Sequence, residues 1–201
     1  MGVDCDIMAA RFEISRVDQD VFAVRSHHLA AQAQAAGHLD KEMVDVMIPP
    51  KFKAITTDNG VRGDSELTKI ARLKPAFDRK FGTLTAANSS FLTDGASAVM
   101  LMSESKAKEL GFLPKAEVVD FVFTGQRLED ELLLGPAYAV SQLLMRQKLT
   151  LADLDVIEFH EAFAGQILSN LKALASDEYS QKYFGREKAL GEIPMEKFNL
   201  W

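Results

Sequence analysis

The chain has 201 residues, 47% of them hydrophobic and 26% charged, with a formal net charge of −6. This size and balance suit one or two globular domains with a real core, and the acidic charge argues against a general nucleic-acid binder, which carries a strongly basic surface. One cysteine, Cys5, cannot staple a fold and points to a reducing compartment; no apolar run approaches the ~18 residues of a membrane helix, and Asp4 and Asp6 break any secretory-leader pattern near the start.

In chain order, Ser15-Arg16-Val17-Asp18 predicts a helix start with an acidic residue at its third position. That helix runs through Val21, Val24 and Leu29 and stops at Gly37. Val44 to Ile48, closed by Pro49-Pro50, predicts a short strand. Asp58-Asn59-Gly60 and Arg62-Gly63-Asp64 are turn formers in an irregular excursion over residues 51–64. Ser65 opens a second helix, with Leu67, Ile70, Ala71 and Lys74 at helical spacing and Pro75 as its stop. Ala96 to Met102 predicts a buried strand. Ser103 to Leu110 predicts a short charged helix capped by Gly111.

From Ala116 the rhythm becomes β, α, β, α. Glu117 to Thr124 predicts a strand. Pro136 to Lys148 predicts a helix with Pro in its first turn and Ala137, Val140, Leu143 and Leu144 on one face. Thr150 to Asp153 starts a short helical turn, Asp155 to Phe159 is a strand, and a helix from Glu161 to about Leu174 buries Phe163, Ile167, Leu171 and Leu174. Such alternation argues an α/β layer structure with a mostly parallel sheet. Residues 176–201 are charged and irregular, and an end at Asn199-Leu200-Trp201 reads as a cut rather than a natural terminus.

Charge is uneven. Residues 51–80 hold eight basic side chains against four acidic ones, a local excess of four positive charges. Such an island suits a phosphorylated ligand, and equally suits a solvated loop and helix face. His27-His28 lies within a helix, where neighbours diverge by about 100° and make a poor metal pair. His38 follows the Gly37 stop. Cys5 has no base near it in sequence and reads as a non-catalytic thiol.

Two segments carry chemistry. In Phe159-His160-Glu161-Ala162-Phe163-Ala164-Gly165-Gln166, a strand runs straight into a helix. A His and a Glu at that junction would stand at a helix N-terminus, which favours developing negative charge and suits the polarising of a carbonyl or the holding of a water. The plainer alternative is an exposed His with Glu161 complementing the helix dipole. In Ala86-Ala87-Asn88-Ser89-Ser90-Phe91-Leu92-Thr93-Asp94-Gly95-Ala96, small residues let a backbone approach a ligand closely. The alternative there is an Asx turn followed by Asp-Gly turn chemistry.

Together these segments resemble the thiolase family, whose members join or cleave acyl-CoA thioesters by Claisen chemistry. The first is similar to the family's Asn-Glu-Ala-Phe junction, with His160 in place of Asn; imidazole can also donate a hydrogen bond to water or an oxyanion. That substitution resembles the branch holding the β-subunits of fatty-acid-oxidation complexes, which act on 3-ketoacyl-CoA. The resemblance implies catalytic positions at His160, for the oxyanion and its water, and at Glu161, which supports the motif. It implies that Ala162 and Phe163 wall the pantetheine tunnel and that Ala86 and Ser90 touch pantetheine. Counting back from Leu73-Lys74-Pro75-Ala76-Phe77 places Arg62 at the adenine and phosphates of CoA, where a guanidinium's paired donors suit phosphate. The same counting places Met1 in the acyl or pantetheine pocket.

The resemblance covers the whole chain, yet the family's nucleophilic Cys, its Gly-His-Pro motif and its Cys-x-Gly-Gly-Gly motif do not occur in it. The implied fold is therefore the middle portion of a thiolase-like layered fold. In that frame residues 1–92 are a CoA-covering loop domain, 93–112 end the N-terminal half and 113–201 open the C-terminal half. The implied function is part of a 3-ketoacyl-CoA thiolase of fatty acid β-oxidation, inactive on its own. No cofactor or metal is implied, only CoA and acyl-CoA as substrates. A homodimer, a hydratase/dehydrogenase partner subunit, and a cytoplasmic or mitochondrial-matrix location are implied with it. Two rivals stand beside this reading: a non-catalytic CoA- or lipid-binding module on a thiolase-like scaffold, and an interaction subunit whose partner supplies the chemistry. Ketosynthases share the broad fold but not the His-Glu-Ala-Phe junction.

Overall fold

The computed structural model describes residues 1–129 and 131–201. Its first helix, α1 (Gly2–Arg11), starts at Met1 without a side-chain cap and buries Cys5, Met8 and Ala9. This i, i+3, i+4 stripe is narrow, and no capping signal marks it. Helix α2 (Arg16–Ala35) begins as the sequence predicts. Ser15 Oγ accepts the Asp18 N–H and Asp18 returns a bond from the Ser15 N–H. Its buried residues are Gln19, Asp20, Phe22, Ala23 and Ala33, while Val21 faces solvent.

The predicted strand before Pro49 exists as β1 (Val46–Ile48), and it pairs antiparallel with β2 (Lys53–Ile55). That is the one sheet among the described residues, a two-stranded hairpin. The helix expected from Ser65 to Pro75 shrinks to α3 (Leu67–Ile70), a single turn with no buried residue. Without an apolar face to pack, a helix that short has little to extend it. Helix α4 (Glu104–Leu110) has its Ser103 cap and left-handed Gly111 stop where expected. The same holds for α5 (Gly135–Gln147) with Pro136 in its first turn, and for the turn Leu151–Asp153 with its Thr150–Asp153 box.

Two predicted strands do not form. Residues 96–102 and 117–124 carry no ladder, and Val99, Met100, Leu101, Val118, Val119 and Phe123 are exposed. A buried strand needs hydrogen-bonding neighbours as well as apolar side chains, and no strand lies beside these segments among the described residues. The predicted strand 155–159 is reduced to one parallel bridge between Ile157 and Phe198.

The core gathers around α6 (Ala164–Ala175), against which α1, α2 and α5 all pack. Gly165 lets α1 and α2 approach it closely: a Cβ there would lie 3.1 Å from Gln19 Oε1 and 3.4 Å from Ala9 Cβ. Cys5, Met8, Phe22, Ala137, Leu144, Ile167, Leu174 and Phe198 fill the interior. Asn170 of α6 ties in α5, its Oδ1 accepting the Ala137 N–H and its Nδ2 donating to the Leu133 carbonyl. A last helical turn, α7 (Asp177–Tyr179), runs into a wider turn over Ser180–Phe184 that packs on α5.

Candidate functional site

The loop that carries the second motif is fixed from below by buried polar groups on α1 and α2. Asp6 Oδ1 accepts the backbone N–H groups of Thr83 (2.7 Å) and Leu84 (3.0 Å). Gln19 Nε2 donates to Thr83 Oγ1 at 2.8 Å. Asn88, only 2% exposed, donates to Asp20 Oδ1 and accepts the Thr85 N–H. Asp20 in turn holds Arg16 Nε at 2.8 Å, and Arg16 reaches the Ile70 and Leu73 carbonyls. Asp6, Asp20 and Asn88 thus meet partners through both side-chain polar atoms, which holds the loop in one conformation, while Gln19 Oε1 is left without one.

On that support the two motifs pair. Ser89 and Phe163 form an antiparallel bridge. It is flanked by Ser90 N–H to the Ala162 carbonyl at 2.8 Å and Ala164 N–H to the Asn88 carbonyl at 3.0 Å. The pairing keeps Phe163 extended (φ −148, ψ 139), so α6 starts at Ala164 rather than at Glu161. The expectation that His160 and Glu161 sit at the helix N-terminus is corrected accordingly. His160 lies four residues before the first helical residue, beyond the reach of the end-of-helix field, which fades within a turn.

A cavity of about 190 Å³ opens over this pairing, lined among others by Phe22, Ser26, His27, Ser90, Phe91 and Glu161. Gly60 packs so closely on the Phe91 ring that a Cβ would overlap it, which seats the 58–60 turn at the cavity's edge. Glu161 is half-buried and accepts hydrogen bonds from Ser26 Oγ (2.5 Å) and Asn199 Nδ2 (2.6 Å). His160 beside it is exposed. Arg62 is exposed too, its guanidinium on the Asn59 and Val61 carbonyls and its backbone N–H donating to His27 Nδ1 at 3.2 Å. Burial, and secondarily the Arg62 charge, hold the His27 imidazole below its ordinary pKa, with Glu161 opposing.

Phe163 is buried and meets the Phe77 ring edge-on at 5.8 Å, while Ala162 is half-buried. Ser90 lines the cavity; Ala86 is exposed and outside its lining. Met1 is 71% exposed, its amine on Asp4, and is not in the lining either. Of the expected residues, Glu161 and Ser90 line the cavity, Ala162 and Phe163 pair with residues 89–90 beneath it, and Arg62 meets the lining residue His27. His160, Ala86 and Met1 are exposed and outside the lining. Cys5 is fully buried, and burial pushes its thiol up to about 12, so at neutral pH it is not a thiolate. No cluster of potential metal ligands occurs among the described residues, and no described helix is long and apolar enough to cross a membrane.

Sequence reading missed Asn199, Ser26 and His27 at this site. Asn199, with φ +44, uses its carboxamide to hold both backbone groups of Phe159 as well as Glu161. A lone Asn near a chain end carries no local signal for such a role.

Known proteins resemble the chain along its whole length. The family model for the thiolase N-terminal domain matches residues 1–105, and the model for the thiolase C-terminal domain matches residues 112–201. The mitochondrial trifunctional enzyme subunit beta of Mus musculus is 51% identical over 201 residues, which is the whole chain and 42% of that protein. A 3-ketoacyl-CoA thiolase of Yersinia enterocolitica is 52% identical over the whole chain and 46% of its own length. Among solved structures, human mitochondrial 3-ketoacyl-CoA thiolase in complex with CoA superposes with a TM-score of 0.83 at 29% identity, covering 98% of this chain and 44% of that one. The chain therefore spans less than half the length of these relatives, and its fold is the α/β thiolase-like fold.

Proposed function

The chain belongs to the thiolase family, and from that premise we propose that it is the part of a 3-ketoacyl-CoA thiolase that covers CoA and brings His160 to the thioester carbonyl. The reaction is the cleavage of a 3-ketoacyl-CoA by CoA to acetyl-CoA and a shortened acyl-CoA, as in fatty acid β-oxidation. In it, the His160 imidazole donates a hydrogen bond to the oxyanion, directly or through a water, and so stabilises charge that develops only in the transition state. Glu161 supports that turn. Ala162, Phe163 and Ser90 border the path of the pantetheine arm, with Ala86 and Met1 as its outer contacts. Arg62 faces the phosphates.

The observation that carries this reading is the backbone pairing of residues 88–90 with residues 162–164. Two motifs about seventy residues apart in sequence become the floor of one cavity beside a basic segment, which is what a thioester with a phosphorylated handle requires. In the same frame residues 1–92 form the CoA-covering loop domain, 93–112 end the N-terminal half and 113–201 begin the C-terminal half. The acyl-accepting thiolate and its base come from outside these segments, because Cys5 is buried and protonated. CoA and acyl-CoA are substrates, and no metal or cofactor is needed. A hydratase/dehydrogenase partner fits the relative named as a subunit of a trifunctional enzyme, and a homodimer fits the likeness to a solved dimeric thiolase. The compartment is the mitochondrial matrix or, in a bacterium, the cytoplasm.

The test is an assay on the protein extended to the length of its relatives: 3-ketoacyl-CoA and CoA are mixed and the thioester products separated. Acetyl-CoA together with an acyl-CoA two carbons shorter supports the proposal. CoA binding without any cleavage overturns it and favours a non-catalytic binding module on the same scaffold.

A further inference from the structure

His160 is exposed, so its own packing does little to fix it. By contrast, Phe159 is held at both backbone polar groups and Glu161 at both carboxylate oxygens. Phe159 donates its N–H to Asn199 Oδ1 at 2.8 Å and accepts from Asn199 Nδ2 at 2.9 Å. Glu161 Oε1 takes the second Asn199 Nδ2 hydrogen at 2.6 Å, and Oε2 takes the Ser26 hydroxyl at 2.5 Å. One carboxamide therefore spends its acceptor and both donors on the two residues that bracket His160.

The clamp is itself anchored. Asn199 N–H donates to the Ile157 carbonyl at 2.9 Å, and Ile157 N–H donates to the Lys197 carbonyl at 2.8 Å, a short parallel pairing. Arg25 of α2 fixes the other side, Nη2 reaching the Met195 carbonyl at 2.8 Å and the Phe198 carbonyl at 2.6 Å. Ser26, next to Arg25, supplies the hydroxyl that closes the ring on Glu161. Helix α2, residues 195–199 and the turn 159–161 are thus one hydrogen-bonded unit. Asn199 adopts a positive φ that Asn tolerates better than most residues, which is the strain expected where a side chain must be aimed.

We propose that Asn199 and Ser26 are positioning residues for thiolysis, acting through the Glu161 carboxylate to hold the His160 imidazole at the oxyanion. This rests on the reading of His160 given under Proposed function. Their side-chain hydrogen bonds are spent on Phe159 and Glu161 and so set where the donor stands, and a donor displaced by an ångström loses most of its value in the transition state.

The experiment uses the protein extended to its relatives' length and measures kcat, KM for CoA, and the thermal midpoint. Asn199→Asp sets a carboxylate against Glu161 and the Phe159 carbonyl, and Ser26→Ala removes a single hydroxyl. Glu161→Ala removes the carboxylate half of the clamp, whereas Glu161→Gln keeps an acceptor for Asn199 and a donor for Ser26 Oγ. The proposal expects kcat to fall roughly tenfold to a hundredfold in Asn199→Asp and Glu161→Ala. KM for CoA should stay within about twofold, as expected when an interaction made only in the transition state is lost. Ser26→Ala should lower kcat by a smaller factor, and Glu161→Gln should recover most of the Glu161→Ala loss. If Asn199→Asp does not fold, Ser26→Ala and the two Glu161 variants decide alone. Unchanged kcat in those three, with His160→Ala inactive, overturns this inference and leaves the reading of His160 intact. Undiminished turnover in His160→Ala overturns both.

Discussion

Asn88 Nδ2 donates a 3.0 Å hydrogen bond to Asp20 Oδ1, with both side chains almost fully buried. One helix thereby fixes the loop whose backbone then pairs with residues 162–164. Replacing Asn88 with Ala strands the Thr85 N–H and one Asp20 oxygen. A loss of about 2–3 kcal/mol is expected, since each abandoned buried partner costs its desolvation. Urea unfolding checks it, and a loss under half a kcal/mol would show that the loop is held elsewhere.

Asp6 does the same work from α1, accepting the Thr83 and Leu84 N–H groups. Asp6→Asn keeps one acceptor but turns an amide toward backbone donors. The expected cost is about 1–3 kcal/mol, with amide hydrogen exchange at Thr83 and Leu84 accelerating more than at residues within α5. Uniform acceleration would contradict a local role.

His27 gives the site an acid limit. Its folded pKa lies below the ordinary value because burial and Arg62 disfavour the charged imidazole, and its Nδ1 accepts the Arg62 N–H. A depressed folded pKa means that the His27 contribution to stability is complete above the ordinary imidazole pKa and is lost as pH falls through the lower folded value. Glu161, His28 and Arg62 are the charged or titratable groups around it. His27→Gln should therefore flatten the fall in thermal midpoint between about pH 7 and pH 5. An equally steep fall in the variant would remove His27 from the transition.

Arg62→Ala should weaken CoA binding about tenfold, the size of a charge-assisted phosphate contact, and should weaken dephospho-CoA binding less. Calorimetry with both ligands decides it. Equal losses would take Arg62 away from the 3′-phosphate.

Cys5 should resist a disulfide reagent at neutral pH in the folded protein and react at once when unfolded, because the thiol is buried and pushed up to about 12. Rapid stoichiometric labelling of the native protein would contradict its place in the core.

What the sequence made legible was local. The Ser15–Asp18 box, the Ser103 cap with its Gly111 stop, Pro136 and the Thr150–Asp153 turn all sit where side-chain chemistry alone predicts. Helix α1 escaped notice because Cys5, Met8 and Ala9 make a thin stripe with no cap. The strands expected at 96–102 and 117–124 failed for the opposite reason: their apolar runs are strong, but a strand exists only through its neighbours. At the site, the motif residues were readable and their setting was not. The start of α6 moved to Ala164 because Phe163 pairs with Ser89, a contact between distant segments that no window around His160 contains. Asn199, Ser26 and Asp20 are ordinary residues at unremarkable positions, given meaning only by what lies across from them.

The central claim is that His160 donates to the oxyanion, and it is tested most directly by kcat for thiolysis in the protein extended to the length of its relatives, comparing His160→Ala with His160→Asn. The account predicts that His160→Ala loses roughly a hundredfold to a thousandfold in kcat, the effect of deleting one oxyanion donor, while His160→Asn, still a donor, keeps most of the activity with KM for CoA little changed. Wild-type turnover in His160→Ala would contradict it.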